Sequence, residues 1–217
     1  MHRLYIISGC NGSGKTTASY SILPGILKCS QFVNSDEFAK SLSPFDPTAA
    51  SVQASRMMLL KIRYCISKRL DFAIETTLAT RTLKRLLAAC QALDYSVTVL
   101  YFWLNSPELA VKRVAARVAA GGHNIDEQTI RRRYIVGLQY FFEEYAPQAD
   151  TWILADNSSI PFKVVAKGDA GGAFFYEPEE YARILNLARF TKPETDYVAP
   201  RKIIFRPSVP PPTDKTL

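Results

Sequence analysis

The chain has 217 residues, 47% of them hydrophobic and 22% charged, a balance that excludes a disordered, collagenous or disulfide-framed protein and suits one globular α/β unit. Its net charge of +7 fits either a nucleic-acid binder or an enzyme for anionic substrates, and no run of five basic residues favours the first. No apolar run approaches the roughly 20 residues of a bilayer span, and the first residues enter a strand at once, so neither a membrane segment nor a signal peptide is expected and a cytoplasmic location is.

The first element is a buried strand, Arg3 to Ser8. It runs into Gly9-Cys10-Asn11-Gly12-Ser13-Gly14-Lys15-Thr16, which meets G-x-x-x-x-G-K-[ST] at every fixed position. Residues from Thr16 to Leu23 read as a helix. Strand, glycine loop and helix together make a phosphate cradle: backbone N–H groups turn inward and the helix start adds its positive dipole end. Gly9, Asn11, Gly12, Ser13, Gly14, Lys15, Thr16 and Thr17 are the expected nucleotide contacts. Lys15 would reach the outer phosphates of ATP or GTP, and the Thr16 hydroxyl would hold Mg2+. Cys10, Cys29, Cys65 and Cys90 are scattered without a C-x-x-C pair and read as reduced thiols, with Cys10 reachable by alkylating reagents.

Gln31 to Asn34 is a short strand leading into Ser35-Asp36-Glu37, where Ser35 or Asp36 is placed to cap the next helix. Asp36 is also the best candidate for orienting an acceptor hydroxyl and taking its proton, because it follows the second strand, expected beside the first. Ser43 to Pro47 is a loop, and a long helix is predicted from about Ala49 to Arg69 with Met58, Ile62, Cys65 and Ile66 inward. Asp71 to Glu75 is a third strand. Glu75, at its end with Thr76 beside it, reads as a contact to substrate or to magnesium-bound water. A helix over Thr82–Leu93 follows.

Val97 to Leu104 is a near-continuous apolar run, as in strands covered on both faces of a parallel sheet. Asn105-Ser106-Pro107-Glu108 starts a helix whose inner face is Val111, Val114, Ala115 and Val118. Arg113 and Arg117 lie off that face, Arg113 as a solvated charge and Arg117 as a phosphate contact. Gly121-Gly122-His123-Asn124 interrupts it, and a second helix runs from about Asp126 to Tyr145 with Ile130, Tyr134, Leu138 and Phe141 inward. Arg131, Arg132 and Arg133 open that helix, so the pair resembles an arginine-bearing lid over a triphosphate. His123 is expected to be an exposed loop residue. Thr151 to Ala155 is a strand closed by Asp156-Asn157-Ser158. Phe162–Ala166 and Ala173–Tyr176 are placed to pair, and a helix spans Pro178 to about Ala188. The stretch from Lys192 to Leu217 holds six of the 13 prolines and reads as an irregular tail, or one that packs back through Ile203-Ile204-Phe205. Two units follow: a P-loop kinase domain over 1–190 and a proline-rich tail over 191–217.

The alternation implies a parallel sheet sandwiched by helices, the P-loop NTPase/kinase architecture, with Gly9 to Thr16, Asp36, Glu75 and Asp156 to Ser158 converging beyond the strand ends. Through these blocks, and through Phe32 to Glu37, Asp71 to Leu78, Ser106 to Val114, Arg117 to His123 and Arg131 to Tyr134, the chain resembles the zeta-toxin family of P-loop kinases. The resemblance implies ATP-dependent phosphorylation of a small acceptor, UDP-N-acetylglucosamine in those toxins. By position it makes Asp36 the catalytic aspartate and Glu75 the substrate-side glutamate. Arg117 and one or two of the triplet, Arg132 and Arg133 by preference, become the lid arginines. It also implies a protein antitoxin as partner, with nucleic acid not expected. The two competing readings are a polynucleotide 5′-hydroxyl kinase and a non-enzymatic nucleotide-binding module.

Overall fold

The computed structural model describes residues 1–47, 49–122 and 124–191. Seven strands form one sheet in the order β2-β3-β1-β4-β5-β6-β7: β1 (His2–Ser8), β2 (Gln31–Val33), β3 (Phe72–Thr76), β4 (Tyr95–Trp103), β5 (Thr151–Asp156), β6 (Lys163–Asp169) and β7 (Gly172–Phe175). The strands β2 to β5 and β1 are mutually parallel, whereas β6 and β7 add an antiparallel hairpin at one edge. The sheet is thus parallel where the cradle sits and mixed at the far edge.

The helices are α1 (Lys15–Ser21), α2 (Ser35–Leu42), α3 (Ser51–Ser67), α4 (Lys84–Gln91), α5 (Pro107–Ala119), α6 (Glu127–Tyr140) and α7 (Pro178–Phe190). Side chains alternate across each strand. Leu4, Ile6, Phe72, Ile74, Val97, Val99, Tyr101 and Trp103 face one layer and pack with Ile62, Leu86, Leu87, Val114, Ile130, Leu138 and Ile184 from α3 to α7. Tyr5, Ile7, Ala73, Leu100 and Phe102 face the other and meet Ala18, Ile22 and Leu23 of α1 and the wider turn after it. Both faces of β4 are therefore covered, which is why its sequence is nearly all apolar. Burying one such Val, Leu or Phe side chain contributes about 1.5–3 kcal/mol.

Caps set the starts of the helices that carry the site. Ser106 accepts the Leu109 N–H at 3.1 Å, with Pro107 at the first helical position of α5. Asp126 accepts the Thr129 N–H at 2.7 Å to open α6. Neither Ser35 nor Asp36 caps α2; the cap is Asn34, whose side chain accepts the Asp36 N–H at 2.8 Å. The reason is strand length: β2 ends at Val33, so the last extended residue is Asn34, and Asp36 falls inside the first turn.

Register places the strand ends at one level. Ser8 pairs with Thr76 and Tyr101, Val33 with Ile74, and Trp103 with Asp156. The second strand is not the neighbour of the first, contrary to expectation: β3 lies between them, so Glu75 rather than Asp36 emerges beside the glycine loop. The chain departs from β1 to one side for β2 and β3 and to the other for β4 and β5, which makes the end of β1 the switch point where such sheets bind ligands. The predicted tail over 192–217, its Ile203-Ile204-Phe205, and His123 lie outside the described residues. Among the described residues no helix is long and apolar enough to cross a membrane.

Candidate functional site

The loop after β1 takes a shape that its glycines require. Gly9 has φ 139°, and a Cβ there would meet the Phe102 carbonyl oxygen at 2.2 Å. Gly14 has φ 81°, and its Cβ would meet Asn157 Nδ2 at 2.4 Å. At Gly9 a side chain is excluded by backbone strain and by space together, whereas at Gly14 the left-handed backbone disfavours one and the Asn157 side chain would have to give way. At the centre of the loop Lys15 is buried, and its ammonium donates to the Cys10 carbonyl at 2.8 Å. Burial pulls its pKa below the ordinary lysine value, against the opposing pull of Glu75, Cys10 and Asp36. The Ser13 hydroxyl is buried without a hydrogen-bond partner among the described residues. A closed ring of backbone around a desolvated cation fits an anionic guest such as a phosphate chain.

Thr16 and Glu75 form the second part. The Thr16 hydroxyl lies 3.0 and 2.9 Å from the two Glu75 carboxylate oxygens, and Asn34 Nδ2 donates to Glu75 Oε2 at 2.9 Å. Burial raises the Glu75 pKa; Lys15 and the Thr16 hydrogen bond oppose that rise. A threonine hydroxyl that donates to a carboxylate keeps its lone pairs for a hard cation, so this donor set fits Mg2+. Thr76, expected to contact substrate, accepts the Leu78 N–H at 3.1 Å in the turn after β3. Thr17 is exposed on α1 and Asn11 is buried in the loop.

Asp36 opens onto a cavity of about 270 Å3 lined also by Thr16, Glu37, Lys40, Ser51, Arg117 and Gly122. Its carboxylate makes no hydrogen bond or ion pair among the described residues, since Asn34 has taken the capping role. Arg117 is exposed on α5, close enough to Lys15 to disfavour the lysine's charge.

The arginine triplet divides. Arg133 Nη1 donates to Asn11 Oδ1 of the glycine loop at 3.0 Å. Arg131 turns the other way, paired with Glu108 at 2.7 Å and Glu127 at 2.8 Å, and is a strut between α5 and α6. Arg132 is half-buried on α6. The α5–α6 pair is rooted in the core rather than laid on it: Ala110, Val114, Ile130 and Leu138 are buried, and the Tyr134 hydroxyl donates to the Leu104 carbonyl at 2.7 Å.

Three residues carry more than their sequence context indicated. Asn34 links the α2 cap to Glu75. Arg113 is no solvated charge: its guanidinium donates to the Asn157 carbonyl at 2.8 Å and the Ser158 carbonyl at 3.0 Å. Asn157 Nδ2 in turn donates to the Ser13 carbonyl at 2.7 Å, so the loop after β5 forms one wall of the cradle. The position of Asn157 just past a strand was a usable signal; the long reach of Arg113 had none. Ala115, expected inward, is exposed on α5. Cys10 is not a surface thiol either: it is buried, and burial pushes its pKa up to about 11. All four cysteines are buried and unpaired.

The fold and the loop define a P-loop kinase-like domain. The family described as AAA domain matches residues 4–133, more than half of the chain, and the chain belongs to it. An uncharacterized protein of Haemophilus influenzae is 28% identical over 126 residues, covering 58% of this chain and 88% of that protein. Among solved structures the AvrRxo1-ORF1:-ORF2 complex with ATP is similar, with TM-score 0.66 and 14% identity. The likeness covers 85% of this chain, which spans 63% of that one. A structure from the PezAT chromosomal toxin-antitoxin system of Streptococcus pneumoniae gives TM-score 0.51 at 14% identity, covering 75% of this chain and 72% of that one. One from the Pnkp1/Rnl/Hen1 RNA repair complex gives TM-score 0.52 at 23% identity, covering 66% and 46%.

Proposed function

We propose that the protein is a phosphotransferase that moves the terminal phosphoryl group of ATP to a hydroxyl of a small acceptor. One observation carries this: the Asp36 carboxylate, released from capping by Asn34, shares a cavity with Thr16 and Arg117 at the mouth of the Lys15 cradle. A nucleotide-binding switch has no use for an unengaged carboxylate there. In this reading the acceptor hydroxyl lies against Asp36, which takes its proton as the new O–P bond forms. The bond between the transferred phosphorus and the bridging oxygen of ADP breaks as it does so. Lys15 and the inward backbone N–H groups hold the phosphate chain. Arg117 and Arg133 meet the charge that develops on the transferred group. Thr16 is the residue that would hold Mg2+, with Glu75 orienting its hydroxyl; the ion supplies charge neutralisation across the phosphates.

The acceptor that the sequence resemblance favours is a nucleotide sugar such as UDP-N-acetylglucosamine, and the same resemblance favours a protein antitoxin as partner. Several basic residues are engaged in internal ion pairs, Arg3 with Asp71, Lys84 with Glu144 and Arg131 with Glu108, which argues against a polynucleotide track. The test is ATP consumption with UDP-sugars and with 5′-hydroxyl oligonucleotides, repeated with Asp36→Asn. Loss of the base should lower transfer about 10²–10⁴-fold while ATP still binds. Wild-type transfer by that variant would refute the mechanism.

A further inference from the structure

The two amino groups of the half-buried Arg113 guanidinium each hold a backbone carbonyl, Nη1 that of Asn157 at 2.8 Å and Nη2 that of Ser158 at 3.0 Å. A planar fork of donors fixes the direction of both carbonyls together. The loop it grips is pinned from other sides as well. The Asn157 N–H donates to the Trp103 carbonyl at 2.9 Å, and the Ser158 hydroxyl accepts the Asn105 N–H at 2.8 Å. The Asp156 carboxylate accepts the Ser158 N–H at 2.8 Å. Residues 156–158 are thus tied to the end of β4, to their own strand and to α5. What this mount carries is the Asn157 amide, whose Nδ2 donates to the Ser13 carbonyl at 2.7 Å.

That bond sets the orientation of a peptide in the glycine loop. In a planar trans peptide the C=O and the following N–H point in opposite directions. With the Ser13 carbonyl held on Asn157, the Gly14 N–H is turned away from Asn157 and into the space the loop encloses, where inward N–H groups take a phosphate. Asn157 Nδ2 also fills the room beside Gly14, 2.4 Å from where a Cβ would stand. On the other side of Ser13 the same helix meets the loop directly: a Cβ on Gly12 would lie 2.6 Å from the Ala110 carbonyl oxygen. α5 therefore bears on the glycine loop at two places, by its backbone at Gly12 and through Arg113 and Asn157 at Gly14.

We propose that Arg113 is a positioning residue for the phosphate chain: through Asn157 it holds the Ser13–Gly14 peptide so that the Gly14 N–H is aimed at the phosphates before any nucleotide arrives. Arg113 acts on the cradle and not on the base or the ribose. The inference rests on the part of the reading above in which the glycine loop binds a phosphate chain, and not on the transfer step.

The test is calorimetric titration of the full chain with ATP and with inorganic tripolyphosphate, at a temperature where melting curves show each variant folded. Tripolyphosphate has neither base nor ribose, so it reads the cradle alone. Arg113→Ala and Asn157→Ala should each weaken both ligands by the same factor, roughly tenfold, on the order of one hydrogen bond. The double variant should bind about as well as either single one, because the two residues act in series. Arg113→Lys keeps the charge and loses the fork, and should fall between wild type and Arg113→Ala. In amide NMR the Gly14 N–H proton of wild type should move downfield on adding tripolyphosphate, and in Arg113→Ala that movement should shrink; a general loss of stability would not single out this amide. Loss of ATP affinity with tripolyphosphate binding unchanged would make Arg113 a contact to the base or ribose and overturn the proposal. Additive losses in the double variant, or unchanged affinities in Arg113→Ala, overturn it too. If Arg113→Ala fails to fold, Asn157→Ala and Arg113→Lys decide by the same comparison of ligands. Wild type that bound neither ligand would bring down the cradle reading together with the proposal, whereas wild type that bound both, with the variants unaffected, would bring down the proposal alone.

Discussion

Glu75→Gln tests the link between the cradle and the cation proposed to sit at Thr16. The side chain keeps its volume but loses one of two acceptor oxygens. Glu75 accepts from Thr16 at 2.9 Å and from Asn34 at 2.9 Å. If the glutamine oxygen serves Asn34, its N–H₂ meets Thr16, whose hydroxyl must turn and accept. Each bond drops from the charge-assisted range, about 1.5–3 kcal/mol, to the neutral range, about 0.5–1.5 kcal/mol. The variant also removes a carboxylate that is costly to ionise in place. Burial raises the Glu75 pKa, so its contribution to stability is present below the ordinary carboxylate range and is lost as pH rises through the raised value. Near pH 7 the two effects oppose, and the variant should lie within about 1 kcal/mol of wild type, or roughly 2–4 °C in Tm. The wild-type Tm should fall relative to the variant as pH rises through that window. Function should suffer more than stability, because a Thr16 lone pair now engaged by the glutamine N–H is withdrawn from the metal. Losing such a supporting partner costs about 10–100-fold in metal affinity. Magnesium titrations of ATP binding and melting curves across pH check both effects. An unchanged magnesium requirement would refute the assignment of Thr16 and Glu75 as a metal-holding pair.

Lys15→Ala should abolish transfer and most ATP binding, read by calorimetry, since it removes the cation enclosed by the loop. Arg117→Ala should lower turnover by on the order of 10³-fold with little change in ATP affinity. Arg131→Ala should leave turnover within a few-fold and barely move the melting temperature, as loss of exposed ion pairs does; equal losses from both in steady-state kinetics would remove the distinction drawn between them. Gly9→Ala should destabilise the chain by more than about 1 kcal/mol in thermal melts even without nucleotide, because the Cβ must displace the Phe102 carbonyl.

Much of the architecture was legible because it is periodic. Alternation separates Leu4 and Ile6 from Tyr5 and Ile7, and the apolar run of β4 announces a strand covered on both faces. The glycine loop was legible because its chemistry is local: strand, turn and helix are contiguous. What escaped was long-range. Nothing near residue 34 says that β3 intervenes between β2 and β1, so the neighbour of the cradle was misassigned. Nothing near Arg113 says that its guanidinium spans to residues 157 and 158. Within Arg131 to Arg133 the spacing is one residue, about 100° of helix turn, so neighbours point in different directions and only the packing of α6 decides which meets Asn11.

The two halves of the site are anchored very differently. β1 is bonded on both sides, to β3 over Leu4–Ser8 and to β4 over His2–Ser8, whereas β2 is a three-residue edge strand bonded to β3 alone. Sequence change in the segment from β2 to α3 therefore acts on the periphery of the sheet and leaves the centre intact. A fold arranged in this way separates what must stay fixed from what is open to change: in the phosphotransfer reading proposed above, the centre of the sheet grips the phosphate chain and the β2–α3 edge meets the acceptor. In hydrogen exchange the same asymmetry predicts that the amides of β2 open through local fluctuations, long before those of β1, which open with the whole domain.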